Sequence, residues 1–148
     1  NKPNEIKKIS EAIGSQAIII SIPVKIIDGI AYHFDYLKNN LSKLNINRIK
    51  KYEHLASELL IIDVDSEGYI GKYNKNIVEL FSDVNLGLIC YGGVGLSKEG
   101  TNLLDIVSVN AVAYGNVLNY GELFFQKIKK SLSKSKQKLR RSIFRERI

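Results

Sequence analysis

Four short aliphatic runs constrain this chain more than anything else in it: AIIISI (17–22), LLIIDV (59–64), GLICY (87–91) and IVSVNAVAY (106–114). The first is short, aliphatic and rich in Ile rather than alternating, the pattern of a strand buried on both faces of a parallel sheet, and the other three are read as further buried strands. Parallel neighbours need crossovers, and the intervening segments read as helices. Expected helices cover residues 4–13, with Ile6, Ile9 and Ile13 on one stripe, then 48–57, 76–83, 98–104 and 120–132. In the third of these, Ile77, Val78, Leu80 and Phe81 are available to pack inward. After the first strand, VKIID and IAYHFDY flank Gly29, which predicts a small hairpin turning at Asp28-Gly29, followed by a polar connection over 39–47. Strands alternating with helices admit an open doubly wound sheet or part of a closed eight-stranded barrel.

With 148 residues and 45% apolar content, the chain can build one real core. The excess of 22 basic over 15 acidic residues is uneven: residues 127–148 hold ten basic residues and one acid, Glu146, which leaves 12 basic and 14 acidic residues, a net −2, in the first 126. The basicity therefore belongs to a C-terminal extension over 133–148 and the end of the preceding helix. That tail is expected to be solvated, in preference to an amphipathic helix on an anionic membrane or nucleic acid, and no specific nucleic-acid partner is expected. A single cysteine, Cys90, rules out an internal disulfide and a cysteine-based zinc cluster. No apolar run approaches the roughly 20 residues that span a bilayer and no signal peptide opens the chain, so a soluble, cytoplasmic protein is expected. The sequence has no methionine, and is expected to be a fragment of something longer.

In parallel βα proteins the functional loops follow the carboxyl ends of the strands. Here those ends read Pro23-Val24-Lys25, Asp65-Ser66-Glu67-Gly68, Gly92-Gly93-Val94-Gly95 and Tyr114-Gly115-Asn116. Glycine lets backbone N–H groups face an anion without a Cβ in the way. Its recurrence at adjacent strand ends points to a phosphate cradle built from Gly68, Gly92, Gly93, Gly115 and Asn116. The blander alternative is that these glycines only permit tight turns. No GxxxxGK[ST] or GxGxxG occurs, which weighs against nucleotide folds.

In order and spacing, GSQAIIISIPVKIIDG, ELLIIDVDSEGYIGKYN, LICYGGVG and NAVAYGNV resemble the second half of the cyclase subunit of imidazole glycerol phosphate synthase. They also resemble its relatives in the amidation of bacterial surface sugars. The resemblance implies a (βα)8 TIM-barrel fold, with residues 1–132 supplying strands five to eight as a half-barrel. It implies a phosphorylated sugar or ribotide as substrate, a glutaminase partner supplying ammonia, and a first half-barrel, or a second copy, completing the barrel. No cofactor is implied.

Members of that family carry I-D-x-K at the first of these strand ends, the aspartate being the second half's catalytic carboxylate. Here Pro23 occupies its slot and Lys25 keeps the lysine position. Proline offers neither a proton nor a charge, so the resemblance implies a degenerate or incomplete enzyme, or a non-catalytic phosphate-binding scaffold. Asp63 and Asp65 are expected to face opposite ways, and Asp65 matches the family motif as a substrate-facing carboxylate, with Lys25 a second contact. Family serine and small residues become Tyr91, Tyr114 and Tyr69, three rings expected to crowd the phosphate pocket. His33 and His54 have no partner at ligand spacing, so no metal site is expected. Cys90 reads as a buried packing thiol.

Overall fold

The computed structural model describes residues 3–95, 98–120 and 124–133; the basic extension expected over 133–148 lies, but for Ser133, outside the described residues. One six-stranded sheet forms its centre: β1 (Ile19–Ile27), β2 (Ile30–Asp35), β3 (Asn40–Lys43), β4 (Glu58–Asp63), β5 (Gly87–Tyr91) and β6 (Val109–Val112). The spatial order is β3-β2-β1-β4-β5-β6. β1, β4, β5 and β6 are parallel and follow one another in chain order. A doubly wound sheet reverses direction at a switch point; the parallel strands of this sheet never do. Right-handed crossovers that all step the same way put every helix on one face, which is the wall of a (βα) barrel.

The helices are α1 (Pro3–Ile13), α2 (Ile46–Lys50), α3 (Asn76–Glu79), α4 (Lys98–Leu104) and α5 (Phe124–Leu132). On the helical face of the sheet Ile20, Ile22 and Val24 of β1 align with Leu59 and Ile61 of β4 and with Leu88 and Cys90 of β5. They form one core with Ile49, Tyr52, Ile77, Val78, Phe81 and Leu103. The opposite face carries Ser21, Leu60 and Ile89, then Pro23, Ile62 and Tyr91. Pro23 apart, this face is only half-covered or exposed.

Several expected bounds change, each for a local reason. The interval 48–57 holds a helix only from Ile46 to Lys50, capped by the Asn45 side chain accepting from Arg48 N. Beyond it the hydrogen bonds are mainly of the tighter i→i+3 kind, such as Tyr52 N to Ile49 O and Leu55 N to Tyr52 O. α3 tightens in the same way after Glu79, burying Ile77, Val78 and Phe81 but leaving Leu80 38% exposed. Of the stripe on α1, Ile6 packs against the core, whereas Ile9 and Ile13 are exposed. The supposed polar connection contains β3, an edge strand exposed at all four positions.

The hairpin forms as expected. Asp28 and Gly29 both take positive φ, 50° and 75°, the backbone of a type I′ turn. Pro23 is not at the end of its strand; it is mid-strand, at a change of partner. The β1–β4 ladder covers Ile19 to Val24, whereas β1–β2 pairing runs from Val24↔His33 to Ile27↔Ile30. Val24 O accepts from Val64 N, so the polar groups of Val24 face β4 and those of Pro23 face β2. The next rung of the hairpin would be Pro23 with Phe34, and Pro23 has no N–H to give it. Beyond His33, β2 pairs only with β3. A second hairpin, β2–β3, closes through Asp35, whose Oδ1 accepts from Leu37 N and Lys38 N.

Candidate functional site

The three glycine-bearing strand ends meet. Gly68, Gly92, Gly93, Gly115 and Asn116 line one cleft of about 270 Å³ at the carboxyl end of β4, β5 and β6. Its walls are completed chiefly by Glu67, Tyr69, Tyr91 and Val94.

The turn after β5 requires its glycines. Gly92 has φ 94° and Gly93 φ 77°. A Cβ on Gly92 would stand 2.5 Å from Asp63 O, and one on Gly93 2.5 Å from Ser66 O and 2.8 Å from Tyr69 O. The acidic loop therefore rests directly on the glycine turn, and Gly93 O fastens it by accepting from Gly71 N and Lys72 N at 2.8 and 3.0 Å. With its oxygen so used, Gly93 keeps its amide spare. Among the described residues the N–H groups of Gly68, Gly92, Gly93 and Gly115 donate to no protein acceptor.

Asp63 and Asp65 do face opposite ways, but not by strand alternation, which places residues two apart on one face: β4 ends at Asp63, and the turn that follows carries Asp65 round to the other side. Asp63, 3% exposed, lies on the helical side and organises the loop: its carboxylate accepts from Asn74 N at 2.8 Å and Ser66 N at 3.3 Å. Asp65 turns the other way and pairs with Lys25 Nζ at 2.9 Å, both side chains partly exposed. The sequence-predicted contacts Lys25 and Asp65 thus meet each other, outside the cleft lining. Pro23 lies on the same face of β1 as Lys25 and next to Ile62 in register, with no ionisable atom to offer.

Tyr91 and Tyr69 reach the cleft as expected. Tyr114 does not: it is absent from the lining, and its buried hydroxyl approaches Gly100 of α4. The cause is a register shift between β5 and β6, where Leu88 pairs with Val109 but Ile89 with Ala111. The extra residue, Asn110, reverses the phase of everything after it, which sends Ala113 to the cleft and Tyr114 to the helical side. Burial, then the neighbouring Glu99 carboxylate, pushes the Tyr114 hydroxyl pKa up.

The pairing of one lining residue with a residue from outside the cleft carries no sequence signal at the level of motifs. Glu67 is the one charged side chain among the described lining residues. Its Oε2 accepts a 2.9 Å hydrogen bond from the Tyr36 hydroxyl, contributed by the β2–β3 loop 31 residues away. Burial first, then this hydrogen bond and the Glu67 charge, pushes Tyr36 up to about 12. Cys90 is the buried packing thiol expected, fully enclosed and with its pKa raised by burial. The Tyr73 hydroxyl lies against it with no hydrogen bond of good geometry. Among the described residues no group of His, Cys, Asp and Glu could hold a metal ion, and no helix is long and apolar enough to cross a membrane.

Comparison with known proteins fits this geometry. Residues 1–124 match the family described as histidine biosynthesis protein. The imidazole glycerol phosphate synthase subunit HisF of Sulfolobus acidocaldarius is 33% identical over 135 residues, 88% of this chain and 53% of that protein. The subunits of the same name from Methanococcus vannielii and Leuconostoc mesenteroides are 29% identical over 157 residues and 24% over 128, covering 90% and 83% of this chain and 58% and 50% of their own lengths. The chain spans about half the length of these curated relatives. Its parallel wall, its glycine-lined cleft and the matched residues together make it a member of the histidine biosynthesis protein family.

Proposed function

We propose that this chain is the phosphate-binding, C-terminal half of a HisF-like cyclase subunit. In this reading residues 1–132 correspond to strands five to eight, and a first half-barrel or a second copy completes the barrel. The assembled protein handles a phosphorylated sugar or ribotide within a glutamine amidotransferase complex, a glutaminase supplying the ammonia. The observation that carries the reading is that four glycines from three different strand ends, each with an amide that donates to no described protein acceptor, line one cleft. Tight turns alone have no reason to leave four such donors spare around one cleft, whereas an oxyanion accepts several at once.

The acid–base half of the chemistry is deficient in this chain. Pro23 cannot move a proton, Lys25 on the same face of β1 is paired with Asp65, and Asp63 lies on the other face. The chain therefore holds the substrate's phosphate without supplying the second-half carboxylate. A purely phosphate-binding scaffold is the second reading, and Pro23 is what favours it.

The test is a saturable rise in melting temperature with glycerol 3-phosphate at constant ionic strength. Gly115 has no positive φ, and a Cβ there would meet chiefly the end of the Tyr91 ring, so Gly115→Val fills the cleft with little backbone strain and should abolish the shift. Absence of any shift in the unsubstituted chain would overturn the proposal. Cyclase turnover by Pro23→Asp, but not by the parent chain, when mixed with a relative's first half-barrel would separate the incomplete enzyme from the scaffold.

A further inference from the structure

An anion site whose described lining holds a carboxylate and no cation is an electrostatic contradiction unless the carboxylate has a purpose. Glu67 borders the same cleft as the glycine amides. Its own environment does not neutralise it: its hydrogen bond comes from the neutral Tyr36 hydroxyl, which engages Oε2. The Tyr36 ring is itself braced edge-on by Phe34, centroids 5.0 Å apart and planes at 85°. One carboxylate oxygen is thus anchored to the β2–β3 loop, on an element separate from the cleft. The cleft volume of about 270 Å³ equals roughly nine water molecules at about 30 Å³ each, more than a lone oxyanion fills.

We propose that Glu67, oriented by Tyr36, is a specificity determinant that makes the cleft select phosphate esters bearing a hydroxyl near the phosphate over equally charged esters without one. This rests on the phosphate-cradle reading above. Repulsion by Glu67 weakens every phosphate alike, whereas a ligand hydroxyl can donate to the carboxylate and recover a charge-assisted hydrogen bond. The site therefore discriminates mainly by what it refuses. Tyr36 is a positioning residue: without its hydroxyl the exposed Glu67 side chain is free to rotate into solvent, and both the repulsion and the hydrogen bond decline.

Glycerol 3-phosphate and methyl phosphate share a charged group and differ in hydroxyls, so the ratio of their dissociation constants, measured by calorimetric titration of the full chain, reads the effect directly. A charge-assisted hydrogen bond of about 1.5 kcal/mol or more corresponds to roughly tenfold or greater preference for glycerol 3-phosphate in the parent chain. Glu67→Ala should tighten methyl phosphate several-fold and bring the ratio down to about threefold or less. Tyr36→Phe should lower the ratio in the same direction, and should have no further effect on it in the Glu67→Ala background, a coupling that a merely structural role for Tyr36 would not produce. An unchanged ratio in Glu67→Ala, or additive effects of the two substitutions, would overturn this inference and leave the cradle standing. Failure of both esters to bind the parent chain and Glu67→Ala alike would overturn the cradle, and the inference with it.

Discussion

At the scale of single residues, Gly93 and Gly29 separate two costs that glycine substitutions usually mix. Both have φ near 75°, so an alanine at either meets the same backbone penalty, about 1–2 kcal/mol. They differ in surroundings: a Cβ on Gly29 meets nothing within 4 Å, whereas one on Gly93 collides with the backbone of the acidic loop. Urea denaturation should show Gly29→Ala losing only about 1–2 kcal/mol, with Gly93→Ala losing a further 1–3 kcal/mol from overpacking. Equal losses would mean that the loop yields without cost and that the contact with Gly93 is slack. The role of Gly93 in the cleft is legible in GGVG. Its role as the seat of the acidic loop is not, because no local pattern announces that Ser66 and Tyr69 will lie on top of it. The opposite facing of Asp63 and Asp65 follows from the end of β4 at Asp63, since alternation alone would keep residues two apart on one face; the destination of Tyr114 is set by one bulged residue, Asn110, which inverts the alternation downstream. The partnership of Tyr36 with Glu67 is purely tertiary and leaves no trace in spacing.

Among the elements, the parallel strands were readable because both of their faces are covered to some degree, and so the sequence is continuously aliphatic. Gly87 and Gly92 delimit β5 at the bounds the sequence predicts, while β3 escaped notice because an exposed edge strand, Asn40–Lys43, has no buried face to impose a pattern. The β1–β2–β3 region also carries a titration. His33 on β2 pairs with Val24 on one side and Ser42 on the other. Its pKa is lowered from 6.5, first by burial, which Arg48 reinforces and Asp35 opposes. A lowered histidine pKa means that the neutral ring is preferred in the fold, so its contribution is present above about pH 6.5 and is lost as the pH falls through the folded-state value. Stability measured by denaturant from pH 7.5 down to 5 should therefore decline, and the decline should be smaller in His33→Gln. A His33→Gln profile that runs parallel to that of the parent chain would assign the acid sensitivity elsewhere. The imidazole is only partly buried, so the difference will be modest.

For the molecule as a whole, the two faces of the sheet have unequal status. Leu59 is fully buried in the helical core, while its neighbour Leu60 points to the open face with Ile62, Ile89 and Tyr91, and Ile19 on that face is 52% exposed. A barrel wall bends towards its open face, and in a chain about half the length of its relatives that face is where the proposed second half-barrel belongs. Association and folding should then respond to different residues. Leu59→Ala removes core packing and should cost about 2–5 kcal/mol at any protein concentration. Leu60→Ala should cost little in a dilute, dissociated sample and progressively more as concentration rises, because only the associated form buries that side chain. Ile89→Lys should abolish association in sedimentation velocity with the circular dichroism spectrum unchanged, since a lysine on the open face meets solvent in the monomer and a desolvated apolar surface in the pair. If the parent chain sediments as a monomer across the accessible concentration range and Leu60→Ala shows no concentration dependence, the open face is not where copies of this chain meet, and a second copy is not what completes the barrel.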